Sequence, residues 1–303
     1  MKELGNTVVI TGASSGIGHA CVARLANAGW QVFAGVRKPE DAARLRSEFG
    51  ERVGPVIMDV TDRATIHAAA EQVRLHVGER GLDGLVNAAG VGLVRPLEYA
   101  TDADMRRIFG INVFGQIAVT QAFLPSLRRA SGRIVNIGSV GTHLSLPFGG
   151  LLNASKSALR SLNDALRLEL RSSGVRVVIV EPGAINTPAV EKTLGDVEGV
   201  IRSLPPRGAE EYGDMLRRFV KRGYAMESHG SVPDVVAQAV QQALTEDRPK
   251  PRYGAGKHAT ILPLLGILVP AVILDVLLLK ALGLPTKSKS NACAERMRER
   301  FAM

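Results

Sequence analysis

Short apolar runs rich in β-branched residues alternate with longer helical stretches along most of this chain. The runs lack strict polar and apolar alternation, which is typical of strands that helices cover on both faces. The pattern predicts an α/β fold, with a doubly wound parallel sheet and helices on both faces. The predicted strands are residues 7–11, 31–36, 55–60, 84–87, 133–137 and 175–180, and the predicted helices are residues 16–28, 39–49, 63–77, 101–130 and 151–173.

Two later segments depart from this rhythm. Residues 182–230 mix charges with prolines, and they predict a partly helical excursion that serves as a substrate lid. Residues 261–284 are nearly all apolar, apart from two prolines and two charged residues. We therefore expect one domain over residues 1–256, followed by an apolar C-terminal arm and a basic tail over residues 257–303.

The composition limits the partners of the chain. With 46% hydrophobic residues, the 303 residues can bury a sizeable core. The net charge is +9, but aromatic residues total 4% and no basic run is interleaved with them, so we expect no nucleic-acid partner. The positive charge fits a solvated surface, or attraction to anionic lipid or to a phosphorylated cofactor.

The cysteines and the N-terminus predict the compartment. Cys21 and Cys293 have neither metal-ligand nor disulfide spacing, which predicts a reducing, cytoplasmic environment and no metal site. The first predicted strand begins almost at once, so we expect no secretory signal.

A glycine turn follows the first predicted strand and opens the first helix. In the pattern Gly12-x-x-x-Gly16-x-Gly18, the first glycine permits a tight turn and the second lets a pyrophosphate approach backbone N–H groups. The third lets helix and strand pack closely, as in Rossmann-type dinucleotide sites. A glycine turn without a ligand is the plainer alternative. The predicted cofactor contacts from this turn are Gly12, Ser14, Ser15, Gly16, Ile17 and Gly18.

The end of the second strand bears on which dinucleotide binds. The sequence there is Gly35-Val36-Arg37-Lys38, and no carboxylate occurs before Glu40. A carboxylate would bind the adenosine ribose and repel a 2′-phosphate, whereas Arg37 can pair with that phosphate. The sequence thus favours NADP(H) over NAD(H). The alternative is that Arg37 and Lys38 are solvated residues at a strand end.

Further motifs follow along the chain in a fixed order: Asp59-Val60, Asn87-Ala88-Ala89-Gly90, Asn112, Ser139, Lys156 and Pro182-Gly183-x-x-x-Thr187. Together with the glycine turn, they make the chain resemble the short-chain dehydrogenase/reductase family over residues 6–256. The resemblance implies hydride transfer between a nicotinamide cofactor and a hydroxyl or carbonyl group. Within the family the chain looks most like the enzymes of lipophilic alcohols such as retinoids and steroids, and the resemblance implies a homo-oligomer, a dimer or a tetramer. It also implies further cofactor contacts at Asp59, Val60, Asn87, Ala88, Gly90, Lys156, Pro182, Gly183, Ile185 and Thr187.

The resemblance implies roles for four catalytic positions. Asn112 matches the residue that anchors a relay water, Ser139 the hydroxyl that orients the substrate, and Lys156 the lysine that holds the nicotinamide ribose. In the family a tyrosine thirteen residues after the serine transfers the substrate proton, with its pKa lowered by the lysine. That position is Leu152, which can neither donate nor accept a proton. Leu152 and Lys156 share one face of a helix, so the geometry is kept while the acid is absent.

Three explanations for Leu152 stay open. Either a tyrosine was replaced in the laboratory, or the chain is a natural protein without redox turnover, or the pocket uses other chemistry or another proton donor. His143 is the nearest titratable candidate, as donor and as substrate contact, although a loop histidine is more often simply solvated. Tyr224 in the predicted lid is a further candidate donor.

The main interpretation is an NADP(H)-dependent oxidoreductase that interconverts a hydroxyl and a carbonyl on a small lipophilic substrate and is impaired by Leu152. The alternative is a non-redox protein of the same fold, either an isomerase- or cyclase-type catalyst or a cofactor-binding interaction protein.

The apolar arm predicts a peripheral membrane contact, or a contact with a hydrophobic partner surface, through residues 261–284. Its prolines and Asp275 make insertion across a bilayer costly. The alternative is an arm that covers the substrate pocket or forms a dimer contact. Attraction to anionic lipid is expected from the basic residues beyond the arm, Lys287, Lys289, Arg296, Arg298 and Arg300.

Overall fold

Seven parallel strands form one sheet in the computed structural model, which describes residues 5–286. They are β1 (Thr7–Ile10), β2 (Gln31–Val36), β3 (Val53–Ile57), β4 (Gly84–Asn87), β5 (Arg133–Ile137), β6 (Arg176–Pro182) and β7 (Arg252–Ala255). Their order in space is β3-β2-β1-β4-β5-β6-β7. The order reverses between β1 and β4, and open α/β sheets bind ligands at such a switch point.

Helices cover both faces of this sheet and complete the predicted Rossmann-type fold, which is confirmed. The helices are α1 (Gly16–Asn27), α2 (Pro39–Phe49), α3 (Arg63–Val77), α4 (Asp102–Phe109), α5 (Gln116–Arg129), α6 (Gly150–Glu169), α7 (Pro188–Leu194), α8 (Val197–Arg202), α9 (Pro206–Ser228), α10 (Asp234–Thr245), α11 (Ile261–Leu268) and α12 (Ala271–Ala281). Successive side chains of β1 point to opposite faces of the sheet. Val8 packs with α1 and α10, and Val9 packs with α3 and α5. Cys21 of α1 is buried on the face of the sheet that Val8 joins, and burial raises the pKa of its thiol to about 12.

A continuous helix, Asp102–Arg129, covers the middle of the sheet. It comprises α4, a π-helical turn at Gly110–Gly115, and α5. Within residues 5–286 it is the one helix long and apolar enough to cross a membrane. Its Phe123 and Leu127 are buried against the sheet, as in a core helix of a globular domain. Packing therefore accounts for its apolar composition.

The excursion after β6 builds a smaller apolar core above the sheet. It contains α7, α8 and α9, and its buried side chains include Leu216 and Phe219 of α9. Leu282 and Leu284, at the end of the C-terminal arm, are buried in the same cluster. The arm is therefore attached to the excursion at its far end.

The arm itself forms α11 and α12, which are separated by Pro270. Neither helix has a buried residue, although almost every side chain in them is apolar. Leu268 and Val272 are 74% and 77% exposed. The predicted basic tail, with Cys293, lies outside the described residues.

The sequence pattern does not predict β7. Its four residues include Arg252 and Gly254 and give neither an apolar run nor a strong strand signal. The strand forms because β6 offers it a free edge, with Tyr253 aligned beside Val180.

Candidate active site

The predicted phosphate turn lies between β1 and α1, and its backbone requires glycine. Gly12 and Gly16 have φ values of +65° and +58°, a region that other residues rarely adopt. A Cβ at Gly18 would stand 2.2 Å from the carbonyl oxygen of Gly12. Only glycine at this position lets α1 approach the end of β1 so closely.

The start of α1 presents backbone N–H groups to this turn. Ser15 is the N-cap residue, its side chain forms no capping hydrogen bond, and the first turn contains no acidic residue. The first N–H groups of a helix, here including that of Ile17, carry partial positive charge and bind phosphate. The turn can therefore hold the pyrophosphate of a dinucleotide.

Two arginines lie near the glycine turn, one just after β2 and one on α2. The backbone N–H of Ala13 donates to the carbonyl of Gly35 (3.1 Å), which joins the turn to β2. Arg37 follows, exposed, and forms no ion pair with residues 5–286. Arg44 on α2 donates to the carbonyl of Ser14 (2.7 Å). Sequence reasoning missed Arg44, although a basic residue in the helix after β2 is a usable signal.

Asp59 and Val60 follow β3 at the same edge of the sheet. Asp59 Oδ1 accepts hydrogen bonds from the backbone N–H (2.8 Å) and the hydroxyl (2.7 Å) of Thr61. This arrangement shapes the loop. The adenine contact of Asp59 and Val60 stays a prediction.

The end of β4 is tied to the end of β1. Thr11 Oγ1 accepts hydrogen bonds from the backbone N–H groups of Ala88 and Ala89, both at 3.0 Å. A Cβ at Gly90 would lie 3.5 Å from Asn112 Oδ1 and 3.7 Å from Lys156 Nζ. The segment after β4 therefore brings the glycine turn and two predicted catalytic side chains to one place.

Asn87 supports this segment from below. Its fully buried side chain donates to Asn136 Oδ1 (2.9 Å) and Thr120 Oγ1 (3.0 Å). Asn136 in turn donates to Asn163 Oδ1 on α6 (2.9 Å). The amides link β4, β5 and α6, so Asn87 acts by holding the strand ends rather than through an exposed side chain.

Lys156 lies on α6 and reaches back to the end of β5. Its ammonium group donates to the carbonyl of Ile137 (2.7 Å). Desolvation by burial lowers the pKa of this lysine to about 8, and no nearby carboxylate opposes that shift. The lysine thus changes charge near physiological pH, and it has N–H groups left for a ligand.

Asn112 lies in the π-helical turn between α4 and α5 and is fully buried. Its Oδ1 accepts from the backbone N–H of Val91 (2.9 Å), and its Nδ2 donates to the Val91 carbonyl and to Ser155 Oγ, both at 3.0 Å. Ser155 Oγ donates to the carbonyl of Leu152 (2.7 Å). Asn112 is therefore bonded to the very turn of α6 that carries Leu152. Such π-turns are frequent at functional sites.

Ser139 lies in the loop just after β5. Its Oγ accepts a hydrogen bond from the backbone N–H of Gly141 (3.0 Å), which leaves its hydroxyl proton for a substrate oxygen. Leu152, half-buried on α6, occupies the helix position one turn before Lys156. The structure thus links Asn112 to the turn of α6 that carries Leu152, with Lys156 one turn further along the same helix.

All four tyrosines of the chain lie within the described residues and are engaged elsewhere. Tyr99 packs edge to face against Tyr212 of the excursion, and Tyr253 donates to Glu246 at β7. Tyr224 is bonded to Glu191, which raises the pKa of its phenol. None of them lies in the position that the family gives to its acid.

His143 is not the solvated loop residue that the sequence suggests. Its side chain is buried, with Nδ1 3.4 Å from Arg160 Nη1 and Nε2 3.6 Å from Glu181 Oε1. Burial lowers the pKa of its imidazole, and the adjacent Glu181 opposes that shift. Gly266 of α11 lies directly against the carbonyl of His143. His143 therefore belongs to a buried cluster beneath the arm.

The loop after β6 closes the other side of the site. The backbone N–H of Gly183 donates to the carbonyl of Ala255 (2.9 Å), and that of Ile185 donates to Glu227 Oε2 (3.1 Å). A Cβ at Gly16 would lie 3.4 Å from Thr187 Cβ. The loop that starts at Pro182 therefore returns to the glycine turn.

Comparisons with known proteins agree with this geometry. The family model described as "short chain dehydrogenase" matches residues 6–197. Retinol dehydrogenase 5 of Homo sapiens is 36% identical over 93% of this chain and 90% of its own length. The 17-beta-hydroxysteroid dehydrogenase type 6 of Rattus norvegicus is 33% identical over 89% of this chain and 87% of its own length.

Solved structures show the same architecture. A short-chain dehydrogenase from Streptomyces avermitilis has a TM-score of 0.73 at 27% identity, over 93% of this chain and 98% of that one. A Burkholderia cenocepacia short chain dehydrogenase in complex with NADP has a TM-score of 0.68 at 27% identity, over 92% and 99%. A Brucella melitensis 3-ketoacyl-(acyl-carrier-protein) reductase with NADH has a TM-score of 0.65 at 26% identity, over 80% and 91%.

Gly18→Ala should destabilise the protein by about 1–3 kcal/mol, because the new Cβ would force α1 away from the end of β1. Gly110→Ala is the matched control, since within residues 5–286 a Cβ there would meet no atom within 4 Å other than its chain neighbours and the nearby backbone of its own helix. That variant should be neutral or more stable by up to about 1 kcal/mol. Urea denaturation measures both, and equal stabilities would contradict the close packing described for the turn.

Proposed function

The chain belongs to the short-chain dehydrogenase/reductase family, and on that premise we propose that it is an NADP(H)-dependent oxidoreductase. It interconverts a hydroxyl and a carbonyl on a small lipophilic substrate, and Leu152 slows its proton-transfer step. Redox chemistry on CH–OH groups is common to this family, and the relatives named above are dehydrogenases of retinol and of hydroxysteroids. The observation that carries the proposal is Lys156, half-buried beside Gly90 and Asn112 at the switch point.

The residues at the sheet edge fit a nicotinamide dinucleotide. The glycine turn leaves backbone N–H groups for the pyrophosphate, and within residues 5–286 Lys156 has one acceptor, the carbonyl of Ile137. Its remaining N–H groups can bind ribose hydroxyls. When bound, such a cofactor supplies or accepts the hydride. The chain supplies orientation, with Ser139 donating to the substrate oxygen.

Preference for NADP(H) is supported by Arg37 and Arg44. Arg37 is exposed at the end of β2 with no carboxylate in ion-pair distance among residues 5–286, and Arg44 lies against the turn. Guanidinium groups pair with phosphate through two parallel hydrogen bonds.

Proton transfer to the substrate oxygen is the reaction step for which this chain lacks an evident donor. Reduction of a carbonyl needs a proton at the substrate oxygen, and general acid catalysis typically contributes about 10²–10⁴-fold to such a step. Leu152 has no proton to give, and the four tyrosines are engaged elsewhere. His143 is held between Arg160 and Glu181.

Leu152 also favours a second candidate, a non-redox protein that keeps the nucleotide site. Such a protein would be an isomerase- or cyclase-type catalyst or a cofactor-binding interaction protein. Product formation without NADPH consumption would identify the catalyst, and binding without any product would identify the interaction protein.

We further propose a homo-oligomer that associates with the cytoplasmic surface of a membrane. Exposed apolar side chains on the central helices, Phe114, Leu162 and Leu168, support a subunit interface. The arm supports peripheral contact rather than a span. At about 1.5 Å per residue, helices of 8 and 11 residues fall well short of a hydrocarbon core of about 30 Å.

Arg37→Ala should lower NADPH affinity by about 10–100-fold, because a charge-assisted hydrogen bond contributes roughly 1.5–3 kcal/mol. NADH affinity should not change. Arg46→Ala removes another exposed arginine and serves as the control. Calorimetric titration with both cofactors measures the effect, and equal affinities in the unmutated chain would exclude the preference.

Leu152→Tyr should raise NADPH-dependent carbonyl reduction by about 10²–10⁴-fold, because it supplies the proton donor that the proposed roles of Ser139, Asn112 and Lys156 require. Leu152→Phe supplies the ring without the hydroxyl and should gain nothing. The rate of the tyrosine variant should fall as pH rises above about 8, where Lys156 loses its charge. The assay is NADPH consumption with a panel of lipophilic ketones and aldehydes.

Two results would contradict that prediction. Fast turnover by the unmutated chain, undiminished in His143→Ala, would mean that another group is the acid. A tyrosine variant that binds cofactor and reduces nothing would favour the non-redox candidate.

Leu268→Asp with Val272→Asp should abolish flotation of the full-length protein with phospholipid vesicles, because burying a carboxylate in the bilayer is costly. Leu75→Asp is the control, since Leu75 is 69% exposed on α3, far along the chain from the arm. Flotation of the double variant at the level of the unmutated chain would exclude the arm as the membrane contact.

A further inference from the structure

Three cations on α9 line a shallow cavity of about 420 Å³ at the end of the C-terminal arm. They are Arg218, Lys221 and Arg222, here called the α9 cation cluster. Ala225 and Gly283 complete the lining. Their spacing of three and four residues puts the three side chains on one face of the helix.

The α9 cation cluster has no anionic partner among residues 5–286. No carboxylate lies within ion-pair distance of any of the three side chains, and all three are exposed. Arg217 on the same helix is different, since it pairs with both Glu198 and Asp214. Like charges at this helical spacing repel one another. An uncompensated cluster beside a cavity is therefore suited to an external anion.

The cluster adjoins the exposed apolar arm. Gly283 directly follows α12, and a Cβ on it would lie 3.7 Å from Arg222 Nε. Leu282 and Leu284, on either side, are buried in the core of the excursion. This packing fixes the end of α12 against α9. An 11-residue helix is about 17 Å long, so the apolar side chains of α12 extend from the end that adjoins the cluster over about that distance.

An anionic bilayer surface has the matching chemistry. Exposed apolar helices enter the boundary between headgroups and acyl chains, and cations beside them meet lipid phosphates. A free anion would satisfy the cluster but would leave two apolar helices, without a buried residue, in water.

We propose that the α9 cation cluster is a binding site for anionic lipid headgroups. The cluster holds the arm against negatively charged membranes. This proposal rests on the membrane contact proposed above. Because α9 carries Leu216 and Phe219 of the excursion's core, the same contact holds the predicted lid at the membrane surface.

The test compares flotation of full-length protein with phosphatidylcholine vesicles and with vesicles that also contain phosphatidylglycerol. The unmutated chain should prefer the anionic vesicles. The triple variant Arg218→Ala, Lys221→Ala, Arg222→Ala should lose most of that preference, with only the share due to the basic residues beyond the arm remaining. Three cations near an anionic surface correspond to a change in partition coefficient on the order of 100-fold. High salt should have the same effect. The triple variant Arg46→Ala, Arg63→Ala, Arg248→Ala removes equal charge from exposed positions elsewhere and should retain the preference.

Each contrary outcome is distinct. Equal binding of the unmutated chain to both vesicle types would overturn the headgroup site while leaving the proposed membrane contact intact. Equal losses in both triple variants would assign the effect to net charge and overturn the site. Binding to neither vesicle type would overturn both proposals, whereas the proposed redox activity is measured separately through NADPH consumption. Thermal unfolding of each variant ensures that only folded protein is compared.

Discussion

The site depends on one buried ammonium group. Lys156 donates to the carbonyl of Ile137 at the end of β5, and no carboxylate offsets its desolvation. A lysine in such surroundings is costly to bury unless a ligand uses it. Its neighbours, Asn112 and Gly90, are positioned by hydrogen bonds that cross from α6 to the turn before α5 and to the segment after β4. On the proposed function, these residues and the glycine turn together supply the nucleotide side of the site.

The buried amides explain why these distant segments stay together. Asn87, Asn136 and Asn163 join two central strands to α6 in a region where an unpaired polar group would be costly. Thr11 ties the end of β1 to the segment after β4. Because α6 carries both Lys156 and Leu152, the same network fixes the position of the leucine. A side chain substituted at Leu152 would therefore be attached to backbone whose position this network already fixes.

Local signals in the sequence were enough for the first six strands of the sheet and for the glycine turn. Gly12, Gly16 and Gly18 are set by backbone constraints that act over a few residues, and the apolar runs of β1 to β6 follow from burial on both faces. The remainder depends on contacts between distant segments. β7 forms because β6 offers an edge, and His143 is buried because Arg160, Glu181 and α11 converge on it. The cavity at the α9 cation cluster depends on Gly283, which is distant in sequence and packs beside α9. No period or motif encodes such contacts.

The central claim is that a complete nucleotide site here lacks its acid. It is tested most directly by titrating NADPH into the unmutated protein and following nicotinamide fluorescence, with lipophilic carbonyl compounds then added to the saturated complex. The account predicts saturable binding of one NADPH per chain and consumption close to the background rate. Absence of binding would contradict the nucleotide site, and rapid stoichiometric oxidation of the bound NADPH would contradict the missing acid.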